Sequence, residues 1–148
     1  MKVVEFDNSQ EHREAAKSLG LSFFSEAPHY ASVKIDWERI YKTCMLPMSR
    51  GVFVYEGEQP AGFMLSLLSP NWYDTEVSGK ELALFVSQDL RGVKAAKVLV
   101  DDYVSWARDN GAKTAWLGTT IGAKTDATVK FFNRLGFDTV GAVTKKEI

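Results

Sequence analysis

A continuous apolar run, Leu82-Ala83-Leu84-Phe85-Val86, is followed by a basic turn, Arg91-Gly92-Val93-Lys94-Ala95-Ala96, and then by a long amphipathic helix from about Lys94 to Asn110. A second buried strand signal follows at Thr114 to Leu117. A strand–helix–strand unit of this kind is a right-handed parallel crossover, so the sheet that contains it carries helices on both faces. The turn has a chemical consequence as well. A turn that opens a helix aims several backbone N–H groups at one point, which suits an anion such as a phosphate.

The rest of the chain sets bounds on that reading. Its 148 residues make one domain, residues 1–148, with material for a sizeable core. The apolar fraction is 45% and the net charge −1, a balance with no footprint for nucleic acid. The single cysteine, Cys44, excludes an internal disulfide, and His12 and His29 lack metal-ligand spacing. No apolar run reaches membrane-spanning length and the N-terminus does not read as a signal peptide, so a cytoplasmic setting is expected.

Local signals place the other elements. Val3 to Phe6 reads as a strand. Asn8 with Glu11 reads as a capping box for a helix ending near Gly20. An aromatic-rich loop, Phe23 to Tyr30, leads to a helix over Asp36 to Met45. Val52–Tyr55 and Ala61–Leu68 form a hairpin across Gly57. The strand before the turn runs from about Val77 to Val86, with a bulge near Gly79. In the long helix, Ala96, Leu99, Val100, Tyr103 and Ala107 share one face, Lys97 and Asp101 pair on the other, and Gly111 stops it. Thr125 or Asp126 caps a short helix through Leu135, and Phe137 to Val143 is a last strand. The order is β-α-α-β-β-β-α-β-α-β, with the middle strands antiparallel. No P-loop motif and no dinucleotide fingerprint occurs.

This order and two motifs resemble the GNAT family of acetyl-CoA-dependent N-acetyltransferases. The pyrophosphate pattern Arg/Gln-x-x-Gly-x-Gly/Ala is met by Arg91 to Ala96, with Val86 five residues earlier. The family's aromatic helix ending in Leu-Gly-Phe is met by Phe131-Phe132-Asn133-Arg134-Leu135-Gly136-Phe137. The hairpin Glu56 to Phe63 is similar to its second and third strands. The resemblance implies an α/β (α+β) fold, with a mixed, mostly antiparallel sheet of six to seven strands and about four helices. It also implies acetyl transfer from acetyl-CoA to a primary amine by direct attack in a ternary complex, with no metal. The acceptor is a small molecule or a peptide. Members often dimerise, so a homodimer is open.

Carried over position by position, the resemblance assigns acetyl-CoA binding to Leu84, Phe85, Val86, Arg91, Gly92, Val93, Lys94, Ala95, Ala96, Thr119, Thr125, Phe132 and Arg134. Thr119 and Thr120 follow the strand that splays from its neighbour in this fold. Glu81, on the strand before the turn, is the first candidate base. His29 and Tyr30 are alternatives in the overhanging loop, with Glu76 and Asp74 behind them. Phe23, Phe24, His29, Tyr30 and Trp37 read either as an acceptor wall or as core. Two positions depart from the family. Lys94 replaces a glycine, and Phe132 replaces the tyrosine whose hydroxyl serves the departing sulfur. These departures motivate a second reading, a non-catalytic acyl-CoA-binding or interaction module.

Overall fold

The computed structural model describes residues 1–87, 89–90, 93–119 and 124–148. Its elements are β1 (Lys2–Glu5), α1 (Gln10–Ser25), a 3-10 turn (Pro28–Tyr30), α2 (Trp37–Cys44), β2 (Ser49–Glu56), β3 (Gln59–Pro70), β4 (Val77–Val86), α3 (Val93–Asp109), β5 (Ala112–Trp116) and α4 (Thr125–Arg134). The five strands form one sheet in sequence order. β1 to β4 pair antiparallel, and β5 joins β4 in parallel after the α3 crossover.

The alternation of side chains along the strands separates two cores. Phe53, Phe63, Leu65 and Phe85 face α1 and α2, where they meet Phe6, Ala16, Leu19 and Tyr41. Val52, Val54, Ala61, Met64 and Leu68 face α3, where they meet Ala95, Leu99, Tyr103 and Ala107. Both faces of the sheet are therefore covered, which the apolar runs in β2 to β4 require. The buried face of α3 begins at Ala95 rather than Ala96, which is half-buried. Lys97 pairs with Asp101 on the exposed face, and Arg50 of β2 pairs with Asp102 to tie the helix to the sheet. Gly111 takes φ 87° at the helix stop, in the left-handed region that glycine enters without a Cβ penalty.

Several boundaries differ from the sequence reading. The cap of α1 is Ser9, whose hydroxyl accepts the His12 N–H at 3.2 Å. Asn8 instead adopts φ 63° and accepts from Arg13 Nε at 2.9 Å. The helix continues through Gly20 to Ser25, because Gly20 is a contact point rather than a stop. A Cβ there would lie 2.5 Å from Trp37 Cη2 and 3.3 Å from Phe85 Cε2. Gly20→Ala is thus expected to destabilise the protein by about 1–2 kcal/mol, overpacking outweighing the gain in helix propensity. A chemical melt showing stabilisation would refute that packing account.

The bulge in β4 lies at Leu82, not near Gly79. Leu65 opposes Ala83 and Ser66 opposes Glu81, so Leu82 has no partner on β3. The N-cap of α4 is Lys124, at φ 52° with no side-chain cap, so neither Thr125 nor Asp126 fills that role. Phe137 to Val143 forms no strand, and the described sheet has five strands rather than six or seven. The reason is visible in its burial: Val140 is 73% and Val143 84% exposed, so the segment has no apolar face against another layer. An extended segment with neither ladder nor buried face gains nothing to offset its ordering.

Candidate active site

The site is built where β4 and β5 part company. Their ladder runs from Val77 and Ala112 to Lys80 and Trp116 and ends there. β4 continues six residues further, to Val86, with β3 on one side only. Ser87 donates its N–H to Ala61 O at 2.8 Å, so its backbone faces β3. Antiparallel strands alternate the direction of their backbone groups. Phe85 and Ala83 therefore also face β3, while Leu84 and Val86 turn their N–H and C=O groups to the side that β5 has left. Among the described residues no strand takes those groups up. They form an open backbone edge leading from Glu81 towards the start of α3.

The bulge at Leu82 decides which way Glu81 points. Below it, Gly79 faces α3, since a Cβ there would lie 2.9 Å from the Tyr103 hydroxyl. Two residues on, Glu81 lies on the same face. Above it, Ala83 and Phe85 belong to the opposite core. One inserted residue thus reverses the facing of the strand. Glu81 spans the mouth of the gap, and its Oε2 accepts the Gly118 N–H at 3.2 Å. Burial pushes its carboxyl up from 4.5 to about 7, with the Gly118 N–H opposing part of that rise. A carboxylate with a pKa near 7 suits proton abstraction at neutral pH.

The other residues singled out from sequence fall as follows. Phe85 is buried, and Leu84 and Val86 are half-buried. Arg91, Gly92 and Thr120 lie outside the described residues. Val93 is the first residue of α3, Lys94 is exposed on its first turn, Ala95 is buried in the α3 core and Ala96 is half-buried. Thr119 is half-buried, one residue beyond Gly118. Thr125 and Arg134 are exposed at the two ends of α4. Phe132 is buried, with its ring centroid 5.8 Å from Phe131 and 6.4 Å from Phe137.

His29 is exposed in the 3-10 turn, where its carbonyl lies 3.5 Å from Lys145 Nζ. Asp74 shapes the β3–β4 loop, accepting from Asn71 Nδ2 at 3.0 Å and from the Glu76 N–H at 2.8 Å. Of the aromatic residues in the α1–α2 region, Phe23, Phe24 and Trp37 pack against the core. Phe23 lies 4.4 Å and Phe24 5.6 Å from Phe85, ring to ring, and Tyr30 leans on Phe24 at 5.0 Å. These rings buttress β4 from behind.

Sequence reasoning did not single out Gly118 or Tyr103. Tyr103 was assigned only to the buried face of α3, yet its hydroxyl bonds both backbone groups of Trp116. Isolated glycines at 79 and 118 within strand-like stretches were the available signal, since such glycines mark close approach.

The fold that carries this edge has known relatives. The model of the acetyltransferase (GNAT) family matches residues 13–137, and this chain belongs to that family. Peptidyl-lysine N-acetyltransferase YjaB of Escherichia coli (strain K12) is 28% identical over 134 residues. That alignment covers 90% of this chain and 65% of YjaB, so the chain spans just under two thirds of that relative's length. Among solved structures, a variant of the BH1408 protein from Bacillus halodurans superposes with a TM-score of 0.82 at 11% identity, covering 100% of this chain and 99% of that one. An aminoglycoside acetyltransferase from an uncultured soil metagenomic sample, solved in complex with sisomicin, gives 0.71 at 14% identity, covering 99% and 93%. At such identities the structural likeness establishes the fold. No helix among the described residues is long and apolar enough to cross a membrane.

Proposed function

We propose that the protein transfers an acetyl group from acetyl-CoA to a primary amine, by direct attack while both substrates are bound. The observation that carries this reading is the Glu81 carboxyl, held across the opening by the Gly118 N–H at the point where β4 parts from β5, with burial raising its pKa. Acetyl-CoA supplies the acetyl group as a thioester. The open β4 edge fits its pantetheine arm, because amide groups there match the backbone of Leu84 and Val86, which no strand among the described residues takes up. An N–H on that edge polarises the thioester carbonyl. The first turn of α3, with Lys94 and the preceding Arg91 and Gly92, receives the pyrophosphate.

Glu81 takes the proton from the acceptor ammonium, directly or through one water. The amine nitrogen then forms the C–N bond as the C–S bond breaks, and the nitrogen gives up its second proton to solvent to leave the neutral amide. Phe132 brings no hydroxyl to the sulfur. A thiol has a pKa near 8.5, so the thiolate leaves without a dedicated acid and takes its proton from solvent. The name of the YjaB relative and the sisomicin complex of the structural neighbour both support an amine acceptor.

The test is a thermal-shift titration with acetyl-CoA, followed by assay of free-thiol release across amines that include lysine peptides and aminoglycosides. Acetyl-CoA at 100 times its Kd is expected to stabilise the fold by about 2.7 kcal/mol. For a chain of this size that is a rise of roughly 5–10 °C. No shift at millimolar concentration would sink the reading. Binding without turnover on any amine would favour the non-catalytic acyl-CoA-binding module that the phenylalanine at 132 also suggests.

A further inference from the structure

Tyr103 holds an unusual position. It lies on α3, its side chain is fully buried, and its hydroxyl both donates to Trp116 O at 3.1 Å and accepts from Trp116 N at 3.2 Å. Those are the two backbone groups with which a strand residue bonds a neighbouring strand. Trp116 is also the last residue of β5 in register with β4. The hydroxyl reaches it by passing directly over Gly79 of β4, where any Cβ would stand 2.9 Å from the oxygen and 3.2 Å from Cε2 of the ring. Directly beyond this point the two strands part, and Glu81 and Gly118 meet across the opening. Burial holds the Tyr103 hydroxyl in its neutral form, and the nearby Glu81 charge adds to that.

We infer that Tyr103 is a wedge that opens the acyl-CoA cleft: its hydroxyl holds the backbone of Trp116 at the last rung of the β4–β5 ladder, with Gly79 as its seat, so that pairing goes no further, β5 turns away from β4 and Gly118 is presented to Glu81. Tyr103 is thus a positioning residue, acting through Trp116 and Gly118. The inference rests on the proposed acyl transfer for its role in substrate binding, whereas the wedge geometry stands without it. The Leu82 bulge alone is not sufficient for the opening. It re-aims β4, but it gives Trp116 no alternative partner, and free backbone groups at a parallel edge pair with whatever strand lies beside them.

Tyr103→Phe keeps the ring and removes the hydroxyl. The Trp116 and Gly118 amide resonances of the ligand-free protein are expected to move, with hydrogen exchange at Gly118 at least tenfold faster, and the Kd for acetyl-CoA is expected to rise tenfold or more. Gly79→Ala keeps the hydroxyl but occupies its seat, and is expected to change the same amides and the Kd in the same direction. It serves as the second route should the first variant fold poorly. Tyr41→Phe is the control for mere loss of a buried hydroxyl. Tyr41 bonds Arg13 O at 3.0 Å on the opposite face, so its removal is expected to lower the melting temperature and leave the Kd unchanged. Unchanged Trp116 and Gly118 amides in Tyr103→Phe overturn the wedge. Moved amides with a Kd within twofold of wild type overturn its part in forming the cleft. Should the wild type bind no acetyl-CoA, the functional reading fails, and the amide measurements still decide the wedge.

Discussion

Glu81→Gln is expected to abolish most of the turnover and, at pH 8, to raise the melting temperature. Both effects come from one cause. Burial lifts the Glu81 carboxyl from 4.5 to about 7, so the folded protein prefers it protonated. Below pH 4.5 the group is neutral in folded and unfolded chains alike and carries no penalty. As pH rises towards 7 the unfolded chain ionises first, and stability falls. Above 7 the folded protein holds a carboxylate in a poorly solvated place, at a cost of up to about 3 kcal/mol relative to acid conditions. Glutamine keeps an oxygen for the Gly118 N–H and never ionises. The gain in stability should therefore be full at pH 8 and absent at pH 4. Turnover should fall by about 10²–10⁴-fold, the usual worth of a general base. The acid limb of the wild-type rate profile, near pH 7, should vanish with it. Affinity for acetyl-CoA should stay within about threefold, since the backbone edge is untouched. Equal stabilisation at both pH values, or full activity, would remove Glu81 from the mechanism. A residue that weakens the fold and carries the chemistry is the usual form of the trade between stability and activity.

Phe85→Ala should have the largest effect on stability. Phe85 is 2% exposed, and its ring meets Phe23, Phe24 and Phe63 at centroid distances of 4.4, 5.6 and 6.1 Å. Its neighbours Leu84 and Val86 form the open backbone edge. Truncation leaves a cavity between β4 and α1 that helices anchored at Gly20 and Trp37 cannot close. The expected loss is about 3–5 kcal/mol, which lowers the melting temperature by roughly 6–20 °C. Urea denaturation measures it directly, and a loss under about 1 kcal/mol would show that the aromatic layer does not brace β4. Acetyl-CoA affinity should also weaken, because the edge loses the support that keeps it straight.

Much of the architecture was legible because it is written in local patterns. The apolar runs of β2 and β3 on either side of the Gly57 turn, the 3.6-residue face of α3 and the glycine stop at 111 each depend on neighbours within a few residues. The motif around Arg91 and the Leu135-Gly136-Phe137 ending added the family. The errors came where a local signal has two meanings. Gly20 looked like a helix stop and is a packing contact with Trp37. Asn8 looked like a cap but takes φ 63°, leaving Ser9 to cap. Phe137 to Val143 has the β-branched content of a strand, yet strand formation depends on a partner that no local pattern reveals. The aromatic run at Phe23 and Phe24 was ambiguous between wall and core for the same reason. The distinction lies in what Phe85, far along the chain, presents to it.

The residues of the site divide along the same line. That Glu81 stands on the strand before the turn, and that a helix opens after it, are properties of the chain order and needed no coordinates. Three things were decided only in three dimensions. The bulge at Leu82 set the face to which Glu81 turns, and with it the burial that raises its carboxyl. The end of the β4–β5 ladder at Lys80 and Trp116 set where the edge opens. The Tyr103 hydroxyl, brought over Gly79 from another element, met the backbone of Trp116. Each is a relation between segments far apart in sequence, fixed by register and close contact rather than by composition. Local periodicity specifies which residues a strand offers to each face. Which partner meets them, and where pairing stops, is settled by the packing of the whole domain.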